Sequence, residues 1–173
     1  MLNNILSKHS QIMGFYEIHF FDRISNSKLE YFNYKEAVSA ASKIISKIER
    51  GYYSKVSERD ETYAKKILLK NNVNQISNYE LYDTILNNYT SVNKKTHYLD
   101  QSGTNINIYK DIKKNLANSV FIYIYRDPRG VLFSQKNRWK QRLNGAKNIP
   151  FLASIRSLVN YHPITTSMLW YFN

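Results

Sequence analysis

Val120 to Tyr125 read VFIYIY, a run of β-branched and aromatic residues with no polar side chain on either face. Such residues suit a pleated strand, and a strand that is apolar on both faces has to be covered on both faces. Helical patterns stand before and after it. Together they predict a parallel sheet between layers of helix, an α/β fold, in which ligands bind beyond the carboxyl ends of the strands. The text that follows the strand, RDPRG, therefore falls where a site is expected.

Asp127 and Pro128 read as a helix start. An Asp side chain accepts from the free N–H groups of a first helical turn, and Pro at the first helical position has no N–H to leave unpaired. A helix N-terminus is a seat for a phosphate or sulfate. Arg126 adds a planar fork suited to two contacts with an oxyanion. Ser134 lies seven residues past Asp127, close to two turns, so it shares the face of the cap. Arg126 and Ser134 thus converge on one phosphate, or the segment is a capped turn with a surface arginine.

Composition narrows the chemistry. The chain carries 25 Lys and Arg against 13 Asp and Glu, a net charge of +12. That excess favours an anionic partner, although a chain so rich in Asn, Ile, Tyr and Lys also fits a biased nucleotide composition. With no cysteine, disulfides, thiolate metal sites and Cys nucleophiles are excluded. His9, His19, His97 and His162 are widely separated and form no ligand spacing, so no metal is expected. No apolar run approaches the roughly 18 residues of a membrane helix, and MLNNILSKHSQIMG is no signal peptide. A cytoplasmic protein is expected.

Start signals mark a series of helices. Asn33 with Glu36 reads as a capping box, after which Val38, Ala41, Ile45 and Ile48 recur at helical spacing until Gly51. Ser57 with Asp60 opens a second helix, ending at Asn71 and Asn72. Ser77 with Glu80 opens a third, carrying Leu81, Tyr82, Ile85, Leu86 and Tyr89. Thr104 is a candidate cap for a fourth, through Ile108, Ile112 and Leu116. A further extended segment is predicted over Phe15 to Phe21, where Glu17 and His19 would share one face.

RDPRGVLFS resembles the 3′-phosphate-binding motif of the sulfotransferases that use 3′-phosphoadenosine 5′-phosphosulfate (PAPS). In that family a buried strand ends in Arg and a Ser follows eight positions later on the next helix. The resemblance implies that Arg126 and Ser134 hold the 3′-phosphate of the nucleotide. KKTHYLDQSGTN, residues 94 to 105, resembles the Glu-Lys-Thr/Ser segment of heparan-type and bacterial members at Lys95, Thr96 and Tyr98. It departs from them at Lys94, where an acidic residue is usual, and at His97, where Pro is frequent. By resemblance Lys95 stabilises the charge that builds on the leaving phosphate; by composition alone it is a solvated lysine in a run of two. LNNILSKHSQIMGFYEIHFF, residues 2 to 21, is similar to the family's first helix and the text beyond it, with Ser10 where Pro is common. Glu17 then falls at the catalytic base, with His19 orienting it or taking over its role.

The resemblance implies a P-loop-NTPase-like sulfotransferase fold, a parallel sheet flanked by helices, present as one partial domain over residues 1–173. Nothing here reads as the RSGTT-like loop that clasps the 5′-phosphosulfate; Ser102 to Thr104 is a Ser-Gly-Thr, but it follows the Lys95 segment. The family's C-terminal elements are also missing, so a truncated middle portion with weak or no turnover in isolation is expected. The implied reaction moves a sulfuryl group from PAPS, the nucleotide donor, to a hydroxyl or amine acceptor of carbohydrate-like type. The alternative is a nucleic-acid- or polyanion-binding module without catalysis, in which Arg138, Lys140, Arg142 and Lys147 with Trp139 would lie along a phosphate backbone.

Overall fold

The computed structural model describes residues 2–25, 31–71 and 75–124, with single positions such as Asp127 and Gly130 beyond them. The chain divides into two compact units, Met1–Phe121 and Ile122–Asn173. In the second, the described positions Gly130, Leu152, Ile155, Val159 and Ile164 are helical. All the described strands belong to the first.

The first unit begins with helix α1 (Leu2–Leu6) and strand β1 (Ile12–Tyr16). Asn3, fully buried, joins them: its Nδ2 donates to the Phe15 carbonyl at 2.9 Å, and its Oδ1 accepts from the Ser7 hydroxyl at 2.7 Å. Gly14 makes that approach feasible, because a Cβ there would stand 1.9 Å from both Asn3 Oδ1 and Ser7 Oγ. Gly14→Ala should therefore cost roughly 1 to 3 kcal/mol by overpacking, read as a lowered urea midpoint. An unchanged midpoint would show that α1 can lift off β1 freely.

A π-helical turn (Phe20–Ile24) leads to β2 (Tyr31–Asn33) and helix α2 (Tyr34–Arg50). The capping box forms as the sequence indicates: Asn33 Oδ1 accepts from the Glu36 N–H at 3.0 Å, and Glu36 Oε2 accepts from the Asn33 N–H at 2.9 Å. The helix stops at Gly51, whose φ of +89° is open to glycine and costly for other residues. Helix α3 (Glu58–Lys70), strand β3 (Gln75–Ser77) and helix α4 (Asn78–Val92) follow, the helices starting at the expected Ser57 and Ser77. Strand β4 (His97–Gln101), a 3₁₀ turn (Gly103–Ile108) and helix α5 (Tyr109–Asn115) complete the described elements.

β1 pairs with β4 in parallel, from Ile12 opposite His97 to Tyr16 opposite Gln101, while β2 and β3 form a short antiparallel pair. The crossover between the parallel strands runs through α2, α3 and α4, so the predicted α/β arrangement holds. Ile44 and Ile45 of α2, Ile67 and Leu68 of α3, and Leu81, Ile85 and Leu86 of α4 pack with Phe15 and Phe20 into one core.

Between α2 and α3, the Arg50 guanidinium grips Asp60 with both terminal nitrogens, Nη1 lying 3.0 Å from Oδ1. The same carboxylate accepts the Ser57 N–H at 2.7 Å. Arg50 is the main reason that the Asp60 pKa falls from 3.8 to about 2, with the Ser57 bonds adding to it against the cost of burial. A carboxyl depressed on folding stabilises the fold above its unfolded pKa, and that share is lost as pH falls through the folded value. The urea midpoint should drop between pH 4 and pH 2, and Asp60→Asn should flatten that part of the profile; a variant with the same slope would assign it to other carboxylates.

Three expectations need correction. Val120 to Ile124 belong to no strand and are exposed, Val120 at 85 % and Tyr123 at 72 %. Their composition states which surface they would fit, but a strand exists only where a neighbour's edge takes its hydrogen bonds, and no described strand pairs with them. The extended segment at Phe15 to Phe21 ends at Tyr16, because the chain turns at His19, in the left-handed backbone conformation, into the π-helical turn that starts at Phe20. Thr104 lies inside the 3₁₀ turn, and its hydroxyl donates to Asp22 Oδ1 at 3.1 Å instead of capping a helix.

Candidate active site

Glu17, Ile18 and His19 follow the carboxyl end of β1. Ile18 is buried, Glu17 is exposed, and His19 takes the left-handed backbone conformation, φ 52° and ψ 46°. A non-glycine residue there is strained and needs outside support. Part of it comes from the residue just past β4: the His19 N–H donates to Ser102 Oγ at 2.9 Å. The turn brings the His19 ring to Glu17, with Nε2 3.8 Å from Glu17 Oε2. On its other side, Nδ1 lies 3.3 Å from Asp22 Oδ2 and 3.2 Å from Thr104 Oγ1. Glu17 and His19 are thus together as the sequence indicates, through a turn and not through a shared strand face.

Asp100, at the carboxyl end of β4, stands beneath this turn. It accepts from the Tyr82 hydroxyl at 2.8 Å, the Ser102 hydroxyl at 2.8 Å and Asn105 Nδ2 at 3.0 Å. Burial raises its pKa, and these donors with the Ile18 N–H oppose the rise. From α2, Lys47 Nζ donates to the Ile18 carbonyl at 2.7 Å and sits 4.4 Å from the centre of the Tyr52 ring. Its pKa is lowered, first by burial and then by the Arg23 cation. A cavity of about 510 Å³ opens at this end of the sheet, lined by residues that include Phe15, Glu17, Lys47, Tyr52 and Gln101.

Lys95 stands elsewhere. It precedes β4, at the amino ends of both parallel strands, and its ammonium donates to the carbonyls of Ile12 at 2.6 Å, His9 at 3.2 Å and Ser7 at 3.3 Å. Five residue steps, from Ile12 to Glu17, about 16 Å at roughly 3.3 Å each, separate that end from Glu17. The ammonium ties the α1–β1 connection to the sheet. Gln101 occupies the β4 position opposite Tyr16, beside Glu17.

Arg126 and Ser134, and with them the 3′-phosphate site, lie outside the described residues, as do Arg138, Lys140, Arg142 and Lys147 of the nucleic-acid alternative. Sequence reasoning missed Asp100, Lys47 and Tyr52, noted Ser102 only within a misplaced loop, and read Thr104 as part of that loop or as a helix cap. The available signal was the short YLD run ahead of Ser-Gly, which marks a strand end. Among the described residues, no group of His, Asp and Glu is arranged to hold a metal ion, and no helix is long and apolar enough to cross a membrane.

The chain is thus an α/β protein with a parallel sheet, at whose carboxyl end Glu17 lines a cavity and has His19 beside it. The model of the sulfotransferase family matches residues 1–162, nearly the whole chain. The chain belongs to the sulfotransferase family, whose chemistry is sulfuryl transfer. Neither the comparison with curated proteins nor that with solved structures returned a match.

Proposed function

We propose that the chain transfers a sulfuryl group from PAPS to a hydroxyl or amine acceptor of carbohydrate type, in the cytoplasm. The observation that carries this reading is the Glu17–His19 pair, 3.8 Å apart, with Glu17 on the wall of the cavity. Glu17 is the base: it takes the acceptor proton as the acceptor oxygen or nitrogen bonds to sulfur, and the sulfur–oxygen bond to the phosphate breaks with its electrons leaving on the nucleotide. His19 holds the Glu17 carboxylate toward the acceptor, steadied from behind by Asp22. Arg126 and Ser134 hold the 3′-phosphate, so the donor is fixed at the end of the molecule remote from the reacting sulfur. Positioning and neutralisation of charge supply most of the acceleration in such transfers. Lys95 has a structural part in this scheme.

The test is calorimetric titration of the chain with adenosine 3′,5′-bisphosphate and with 5′-AMP. The bisphosphate should bind at least tenfold more tightly, because only it presents the 3′-phosphate. Equal affinities would remove PAPS from the proposal.

A further inference from the structure

Glu17, Ile18 and His19 belong to no strand or helix, yet their backbone is gripped at successive atoms. The Ile18 carbonyl accepts from Lys47 at 2.7 Å, and the next donor, the His19 N–H, donates to Ser102 Oγ at 2.9 Å. Ser102 has one hydroxyl hydrogen, and it is donated to Asp100 Oδ1 at 2.8 Å. The hydroxyl is thereby turned so that a lone pair faces the His19 N–H. Asp100 itself is anchored from the core. Tyr82, whose hydroxyl donates to Asp100 Oδ2, is buried and stacks on Phe20 with ring centres 5.3 Å apart. The register of β4 on β1 puts Asp100 opposite Phe15, directly before the turn.

We propose that Asp100 is a positioning residue for the Glu17–His19 pair, acting through the Ser102 hydroxyl. The inference rests on the reading of Glu17 and His19 as the acid–base pair. An ionised carboxylate only accepts hydrogen bonds, so donors from α4, from Ser102 just past β4 and from the 3₁₀ turn can all meet on it. Their meeting point holds His19 in a backbone conformation that it would otherwise leave. With the backbone held, Nδ1 is kept against Asp22 and Thr104 and Nε2 against Glu17. The hydrogen bond made by one ring nitrogen decides the state of the other.

The experiment labels the full chain with ¹⁵N-histidine and records the imidazole nitrogens by NMR, without nucleotide. His19→Asn identifies the His19 signals. In the parent chain they should show a single tautomer with the proton on Nδ1. In Asp100→Asn and Ser102→Ala they should move to the averaged pattern of a free imidazole, and exchange of the His19 amide should quicken at least tenfold. Ile67→Val, a core change on α3, which holds no member of the network, should lower stability without moving the His19 signals. Parent-like His19 signals in a folded Ser102→Ala chain would overturn the proposal, as would an equal change in Ile67→Val. If Asp100→Asn does not fold, Ser102→Ala decides, since it removes only the relaying hydroxyl. The nucleotide titration is separate, so loss of bisphosphate selectivity would strike the donor assignment and leave this result to stand or fall alone.

Discussion

Glu17→Gln is expected to lower kcat for sulfuryl transfer by about 10² to 10⁴, the usual contribution of a positioned general base. Glutamine keeps the shape of the side chain and its hydrogen bonding but cannot take a proton. The Glu17 side chain is 51 % exposed, so its exchange should leave the fold intact and the loss can be assigned to chemistry. Its carboxylate is 3.8 Å from His19 Nε2, too long for a good hydrogen bond and close enough for the imidazole to share the work. The contrast with His19→Asn therefore matters. If His19 orients Glu17, its loss should be the smaller of the two; if Glu17→Gln falls less than tenfold while His19→Asn collapses the rate, the base is His19. Transfer of labelled sulfate from PAPS, at saturating acceptor, measures both.

Arg126→Ala should weaken binding of adenosine 3′,5′-bisphosphate by roughly 10- to 150-fold, corresponding to a charge-assisted contact of about 1.5 to 3 kcal/mol. Affinity for 5′-AMP should not change, because that nucleotide has no 3′-phosphate for Arg126 to hold. Arg126→Lys should recover part of the loss and not all of it, since an ammonium restores the charge without the two-pronged geometry. Equal weakening of both nucleotides would make Arg126 a general source of positive potential. A further control comes from ionic strength: a polyanion site would lose affinity steeply with salt whether or not Arg126 is present.

The helix starts and the site residues were legible in the sequence to different extents. Each helix start could be read in advance because its hydrogen bonds span three residues, as in Asn33 with Glu36 and Ser77 with Glu80. Glu17 and His19 were also legible, lying two residues apart in text that resembles a known family. Their neighbours were not. Ser102 reaches the His19 N–H across 83 positions, and Thr104 reaches the ring across 85. No local pattern announces such partners.

Lys95 and Val120–Ile124 show the limit from the other side. Lys95 stands in a familiar sequence context, but whether it meets the acid–base pair depends on which end of β4 it precedes. The parallel register puts it at the amino end, bonded to the carbonyls of Ser7, His9 and Ile12. Val120–Ile124 have the composition of a buried strand and are exposed, since pairing is a property of two segments and composition belongs to one. What the sequence determined by itself was local: helix caps, apolar stripes, and the family to which the chain belongs. Tertiary structure alone decided which residues share the carboxyl end of the sheet, because parallel pairing joins β1 to β4 across three intervening helices and brings Asp100, Ser102 and Lys47 to the turn that carries Glu17 and His19.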